Sequence, residues 1–260
     1  KLLIGNSTPG EGSLWVVPVV GRTAQRVGNV LAHDATWSPD GQGILYAQGH
    51  CLFVTRDDGT VPRKFAEVGG RAFQPRWSPD GRRLRFTVRD PQTGTSSLWE
   101  TSADGTNLHP LLPGWNQPPA ECCGNWTPDG RFFVFSAERN RMMNIWALHE
   151  QSSVFGKNAS NPAPLTAGPL QFTSPAMSAD GKRVFTLGIQ VRSELVRFDL
   201  TSRHFTPLTG ELASLRPDWV DCSRDGQWIT YVEGGVLWRS RADGRQRLQL
   251  TSLPLETIFP

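Results

Sequence analysis

The residue types that most often perform catalysis or bind metals are scattered along this chain of 260 residues. Its five histidines are His33, His50, His109, His149 and His204. None of them is paired at the four-residue spacing that places two ligands on one helical face. Only His33 falls near a predicted inner strand, so no metal site is expected.

Carboxylates recur in five Asp-Gly pairs, at Asp40, Asp80, Asp129, Asp180 and Asp225. A ring of such carboxylates could bind Ca²⁺ or carry out acid–base chemistry. An aspartate in a turn more often accepts hydrogen bonds from its own backbone, and this structural role is favoured. A serine hydrolase would need a Gly-x-Ser-x-Gly elbow, which the sequence lacks. We therefore predict no catalytic residues, no cofactor and no enzymatic activity.

The four cysteines are Cys51, Cys122, Cys123 and Cys222, and they contain no Cys-x-x-Cys pair. Three interpretations of the adjacent pair Cys122 and Cys123 stay open. They are two reduced thiols, a vicinal disulfide, and a redox-sensing or metal-sensing pair. Adjacent cysteines form a disulfide only through an unusual backbone, so reduced thiols are favoured.

A five-residue motif organises the chain. Trp-Ser-Pro-Asp-Gly begins at Trp37 and Trp77, Trp-Thr-Pro-Asp-Gly begins at Trp126, and looser copies begin at Met177 and Cys222. Proline presets φ, aspartate tolerates the next position, and glycine accepts a left-handed conformation, so the motif predicts a hairpin turn. Aromatic and β-branched residues follow each turn, as is typical of strands.

A second marker recurs six times, roughly ten residues after the position of each turn: Leu14-Trp15, Leu52-Phe53, Leu98-Trp99, Ile145-Trp146, Leu195-Val196 and Leu237-Trp238. Each repeat then holds four short strands, which we name A to D. Four strands in roughly 40–50 residues are the signature of a propeller blade. We predict an all-β, six-bladed β-propeller with four antiparallel strands per blade, forming a single domain over residues 1–260.

The sixth turn is missing, which predicts how the ring closes. The chain begins with residues typical of strand B, at Leu2–Ile4, and ends with Phe259-Pro260, which matches the end of strand A. We expect the C-terminal segment to pair with the N-terminal one, so that strands from both termini close the ring and cover its sheet edges.

These motifs resemble the WD40-like (PD40) repeat of TolB-like propellers over nearly the whole chain. Similar propellers occur in the periplasmic protein TolB, in peptidases of the prolyl-oligopeptidase type, and in bacterial winged-helix regulators. The Glu121-Cys122-Cys123-Gly124 step is most similar to the regulator group. The resemblance implies a binding or sensor propeller, with an accessory propeller of a larger peptidase, or a lyase, as the alternative.

Tryptophan recurs at one position of strand A and one of strand C, which predicts packing between blades. Trp115 differs, because it lies outside the repeat in a loop rich in proline and glycine. It is either a contact residue for a partner or a plug that packs into the loop.

Propeller ligands usually bind at the channel mouth, where strand D crosses to the next strand A. Polar residues of both charge signs fall at that end. The candidate ligand-binding residues are His33, Asp34, Arg71, Arg76, Trp115, Glu121, Asn125 and Asp218. The alternative is that they pair only with each other and with channel water. We predict a protein, peptide or small polar ligand here, and expect little distinctive chemistry on the opposite face, which carries the A–B turns.

Charge and hydropathy limit the other partners. The net charge of +3 comes from scattered Lys and Arg, so this domain is not expected to contact nucleic acid directly. No run of about 18 apolar residues is present, so no membrane insertion is expected. The sequence does not fix the compartment; the resemblance favours the periplasmic over the cytoplasmic side of a bacterial membrane.

Overall fold

The computed structural model describes residues 2–4, 10–20, 23–150, 161–190, 196–207, 217–233 and 236–252. Throughout these ranges the regular structure is antiparallel β-strand, with no helix. The chain divides into two units, Lys1–Ile189 and Gln190–Pro260, and each is described by itself.

The Asp-Gly turns form as the sequence predicts. In each of the five, a Ser or Thr hydroxyl donates to the aspartate two residues later, at 2.5–2.6 Å. The same carboxylate accepts a backbone N–H beyond the glycine, at 3.0–3.1 Å. The glycines have φ between +67° and +71°. The hydrogen bond from the hydroxyl is the main reason that these aspartates have lowered pKa values, and it assigns them a structural role.

Among the described residues, the first unit contains one three-stranded sheet, three four-stranded sheets and one further pair of strands. The three-stranded sheet, blade 1, has the order β1-β2-β3, with β1 Leu2–Ile4, β2 Gly12–Val17 and β3 Gln25–Ala32. Blade 2 has the order β4-β5-β6-β7, with β4 Asp34–Trp37, β5 Gly43–Gln48, β6 Cys51–Arg56 and β7 Arg63–Glu67. Blade 3 has β8 Arg71–Trp77, β9 Arg83–Arg89, β10 Ser96–Ser102 and β11 His109–Pro110.

Blade 4 repeats this pattern with β12 Glu121–Trp126, β13 Phe132–Arg139, β14 Met142–His149 and β15 Ala163–Pro164. The last pair of the first unit is β16 Gln171–Met177 with β17 Val184–Ile189. The second unit holds the pair β18 Val196–Asp199 and β19 His204–Pro207. It also holds a four-stranded sheet of β20 Pro217–Cys222, β21 Trp228–Glu233, β22 Val236–Arg241 and β23 Leu248–Gln249.

Blade 1 consists of strands B to D without a described strand A. The predicted strand A lies in residues 253–260, outside the described residues. Ring closure and the count of six blades therefore stay predictions.

The core of the first unit lies between successive sheets. Leu45 and Leu52 of blade 2 pack against Leu84, Phe86 and Val88 of blade 3, and all five are at most 5% exposed. Burial of such side chains stabilises the fold by about 1.5–3 kcal/mol each. Successive sheets are therefore held face to face mainly by apolar contact.

Most repeat tryptophans pack as expected. Trp126 is buried, and Trp37, Trp77 and Trp99 lie against the apolar clusters between blades. Trp15 is an exception, since 39% of its surface is exposed. Large aromatics at the repeated positions thus serve the core in blades 2 to 4.

Candidate functional site at the channel mouth

Strands β4, β8 and β12 are edge strands of their sheets, and β4, β8, β12 and β16 contact one another in succession. All four run in the same sense from the D–A connections toward the A–B turns. We call their N-terminal ends the channel mouth.

A β-bulge shapes three of these ends. Gln74, Cys123 and Ser174 each lie three residues before the first position of the repeat motif, and each has positive φ, between +46° and +63°. The N–H of Cys123 donates to Thr87 Oγ1 of the preceding blade, at 3.1 Å. The N–H of Ser174 donates to Ser136 Oγ, also at 3.1 Å. Each bulge is thus tied to the preceding sheet, which fixes the spacing of the strand ends.

Four of the predicted residues meet where blades 2 and 3 adjoin. His33 Nε2 lies 2.5 Å from the carbonyl oxygen of Ala72, and its ring centroid is 5.3 Å from that of Phe73. The guanidinium of Arg71 lies over the same Phe73 ring, at 5.4 Å. The Asp34 carboxylate accepts a hydrogen bond from the backbone N–H of Gln74. Asp34 thus has the same role for the bulge at Gln74 that Thr87 and Ser136 have for the other two bulges.

Burial and charge both act on this cluster. Burial raises the pKa of Asp34, and the Gln74 N–H and then the Arg76 guanidinium oppose that rise. Burial also lowers the pKa of Arg76, against the attraction of Asp34, and lowers the pKa of His33. Arg76 Nη1 donates to the Pro75 carbonyl oxygen at 2.8 Å. The charges of His33, Arg71 and Arg76 act on Asp34, and the charge of Glu11 acts on His33, so the cluster presents both charge signs to a polar ligand.

Glu121 lies at the mouth of blade 4 but in a different environment. Only 2% of the surface of Glu121 is exposed, and its Oε1 atom has no hydrogen-bond partner in the described part of the chain. Burial raises the pKa of this carboxyl to about 7, opposed by backbone hydrogen bonds at Ala120 and Glu121 and by Asn116. No arginine contributes to this shift. Glu121 is therefore buried beside the mouth rather than joined to the arginine cluster.

Trp115 packs into its own blade. Its ring meets Phe135 and Trp146 edge-on, with centroids 5.7 and 5.0 Å apart, and the Arg139 guanidinium lies 4.9 Å from it. These are the contacts of a loop plug. A role for Trp115 in binding a partner stays a prediction.

The other two predicted site residues are placed differently. Asn125 Oδ1 accepts the backbone N–H of Trp126, at 3.0 Å. Asp218 lies in β20, and its side chain is outside the described residues. Sequence analysis missed the hydrogen-bond acceptors Thr87 and Ser136. The repeat could have indicated them, because Leu84 and Phe133 pair with the repeat tryptophans and each acceptor lies three residues further along the chain.

Cys122 and Cys123 form a vicinal disulfide, so the preference for two reduced thiols is wrong. The expected obstacle was the unusual backbone that adjacent cysteines need. The bulge of strand A supplies such a backbone, because Cys123 has φ +63°. Gln74 and Ser174, at the same position of their strands, also have positive φ. Gly124 completes the step: a Cβ there would lie 2.2 Å from the Phe133 ring.

Thiol titration checks this disulfide. Cys51 and Cys222 are free, so two of the four cysteines should react in denaturant without reductant, and all four after reduction. The Cys122→Ser/Cys123→Ser double variant is the matched control and should give two thiols under both conditions. Four reactive thiols in protein purified without reductant would contradict the bond.

The described residues offer neither a metal centre nor a membrane-crossing helix. No group of three or more His, Cys, Asp or Glu side chains among them is placed to hold a metal ion. No helix within the same ranges is long and apolar enough to span a bilayer.

Among proteins compared by sequence, no family model matches the chain. The uncharacterized protein Atu1656 of Agrobacterium fabrum is 25% identical over 124 residues, which are 46% of this chain and 39% of that protein. The uncharacterized peptidase YuxL of Bacillus subtilis is 25% identical over 218 residues, which are 78% of this chain and 29% of that protein. The chain thus spans well under half the length of each of these two relatives.

Solved structures show the fold. TolB from Acinetobacter baumannii superposes with a TM-score of 0.56 at 22% identity, covering 98% of this chain and 63% of that one. A putative TolB from Agrobacterium tumefaciens gives 0.52 at 16% identity, covering 87% and 83%. An oligogalacturonate lyase in complex with manganese gives 0.52 at 13% identity, covering 95% and 73%. The fold of this chain is a TolB-like β-propeller.

Proposed function

We propose that this chain is a non-catalytic binding or sensor propeller that holds a protein, peptide or small polar ligand at the channel mouth. The observation that carries the proposal is the cluster of His33, Asp34, Arg71 and Arg76 at the adjoining ends of β4 and β8. Its charges are partly removed from water, where a hydrogen bond to an incoming group gains strength.

The guanidinium groups of the cluster suggest an acidic ligand group. Arg71 and Arg76 both act on Asp34 at the mouth, and guanidinium groups bind carboxylates in a fixed, bidentate geometry. A peptide that presents Asp, Glu or its C-terminal carboxylate fits this chemistry. We further propose that the full-length protein is a winged-helix regulator whose propeller senses this ligand on the periplasmic side and does not contact DNA itself.

Substitution of Arg76 tests the proposed site. A peptide is first selected from a random displayed library against the wild-type chain. The Arg76→Gln variant should bind that peptide about tenfold more weakly, because it loses the charged partner of the acidic group. Isothermal titration calorimetry measures the change.

Arg82→Gln is the matched control. Arg82 is exposed on an A–B turn, at the other end of the inner strands, so binding should be unchanged. If the Arg82 variant loses binding and the Arg76 variant keeps it, the ligand binds on the turn face and the proposal fails.

An accessory role in a larger enzyme is the second candidate. It is favoured by the likeness to the peptidase YuxL, which extends over 78% of this chain. In that case the propeller would filter substrates for a hydrolase domain. A hydrolase sequence in the same gene would favour this role, whereas a winged-helix sequence would favour the sensor.

A further inference from the structure

A groove of about 580 Å³ opens between blades 2 and 3 on the face of the A–B turns. Its apolar walls include Leu45, Val54, Phe65 and Trp77. The rings of Phe65 and Trp77 meet edge-on, with centroids 5.9 Å apart. This volume is typical of a small-molecule site, whereas the sequence predicted little distinctive chemistry on this face.

At the next interface along the chain, charged side chains fill the equivalent space. Between blades 3 and 4, the guanidiniums of Arg85 and Arg83 lie over the Trp126 ring, at 4.2 and 4.9 Å. Glu100 and Glu150 neutralise them: Arg85 Nε and Nη1 donate to the two carboxylates at 2.6 Å each. The groove position beside Trp126 is therefore occupied by the protein itself.

All four charged residues are replaced at the equivalent positions between blades 2 and 3. Trp37, Trp77 and Trp126 pair in the same way with Ile44, Leu84 and Phe133, so the two interfaces can be matched residue by residue. Gly43 and Leu45 then stand in place of the two arginines, and Val54 and Ala103 in place of the two glutamates.

The hydrogen bonds after strand C support this equivalence. The Ala103 N–H donates to the Arg82 carbonyl, and the Glu150 N–H donates to the Arg131 carbonyl, at 2.9 and 2.8 Å. Gly43 lies too close to the neighbouring strand for a side chain, since a Cβ there would lie 2.9 Å from the Thr55 carbonyl oxygen. The space beside Trp77 thus corresponds to the space beside Trp126, which the guanidinium groups of Arg83 and Arg85 occupy.

The charges around the groove select a different occupant. Without the two glutamates, a cation beside Trp77 would have no partner of its own, and it would face Arg56 and Arg63 at the rim. Arg63 is exposed and makes no ion pair with any residue that the structure describes. Asp40, also at the rim, is held by Ser38 and the Gln42 N–H. The indole N–H of Trp77 has no acceptor among the described residues.

We propose that this groove binds a small organic anion in which a flat, apolar ring carries a carboxylate. The ring would lie against Trp77, Val54 and Phe65, and the carboxylate would pair with Arg63 and Arg56. This site is separate from the channel mouth, so its test is independent of the test of the proposed function.

Saturation-transfer NMR with 2-naphthoate tests the site in the full 260-residue chain. We expect saturable binding with a Kd of about 0.1–1 mM, as befits a ligand of this size. The uncharged 2-naphthamide should bind about tenfold more weakly, because it lacks the partner for the two arginines. Equal binding of the two probes, or no saturable binding of 2-naphthoate, would overturn the proposal.

Variants locate the binding. Arg63→Gln should weaken 2-naphthoate binding about tenfold. Ala103→Glu, which restores a carboxylate that the next interface has, should weaken it at least as much by repulsion, whereas Ala103→Gln adds the same bulk without the charge and should weaken it less. Ala103 is exposed, so both variants should fold. Arg76→Gln at the channel mouth should change nothing; loss of binding in that variant alone would place the ligand at the mouth and refute the groove.

Discussion

Replacing Arg85 with methionine should lower the free energy of unfolding by about 3–5 kcal/mol, because it breaks a buried ionic network while leaving its partners in place. Arg85 is 2% exposed. Its guanidinium bonds to Glu100 and Glu150 and stacks on the rings of Trp126 and Phe133. After the substitution only Arg83 would remain to neutralise two largely buried carboxylates.

Urea unfolding followed by circular dichroism measures this loss. Arg82→Met is the matched control, since Arg82 is exposed and its change should stay within about 0.5 kcal/mol. The double variant Arg85→Met/Glu150→Met should lose less than the sum of its single variants, because each single change leaves a charge without its partner. A loss below about 1 kcal/mol for Arg85→Met would show that the network does not hold blades 3 and 4 together.

Glu121→Gln should make the protein about 3 kcal/mol more stable at pH 8 and leave it nearly unchanged at pH 4. Burial raises the pKa of Glu121 from the model-compound value of 4.5 to about 7, so the folded state binds the proton more tightly than the unfolded chain. The stabilisation from this protonated form is present in full below about pH 4.5. It is lost progressively as the pH rises through about 7, where the carboxylate must ionise without a partner for Oε1.

Unfolding free energies measured at several pH values between 4 and 8 test this dependence. The matched control is Glu138→Gln, on the exposed end of β13, which should leave the pH profile unchanged. If the wild-type chain and Glu121→Gln have parallel profiles over this range, Glu121 is ionised in the folded protein and its burial is less complete than described.

The sequence alone determined the blades, because their signals are local. Each Asp-Gly turn is closed by hydrogen bonds within a few residues: in the first copy the Gly43 N–H donates to Ser38 Oγ, and the other copies have the same bond at the same offset. Strand B follows directly, with the alternating and aromatic residues that sheets prefer. The order of strands within each sheet then follows from short hairpin connections.

The sequence also placed His33, Asp34, Arg71 and Arg76 at one end of the inner strands. Their offsets from Trp37 and Trp77 fix their height along β4 and β8. The hydrogen-bond partners of His33 and Asp34 could not be predicted from the sequence. These partners, the Ala72 carbonyl and the Gln74 N–H, belong to the neighbouring blade, and the bulge sets their positions.

Only the tertiary structure decided the properties that depend on what the next blade places opposite a residue. Glu121 stands where blade 3 has Ala72, and its burial comes from the surrounding sheets and loop, which no local pattern encodes. The same holds for Trp77 and Trp126, which have the same position in the repeat but different neighbours: Gly43 and Leu45 leave the first ring beside an open groove, while Arg83 and Arg85 cover the second. A repeat fixes each strand through contacts close in sequence, whereas burial, charge pairing and cavities arise from contacts between side chains far apart in the chain.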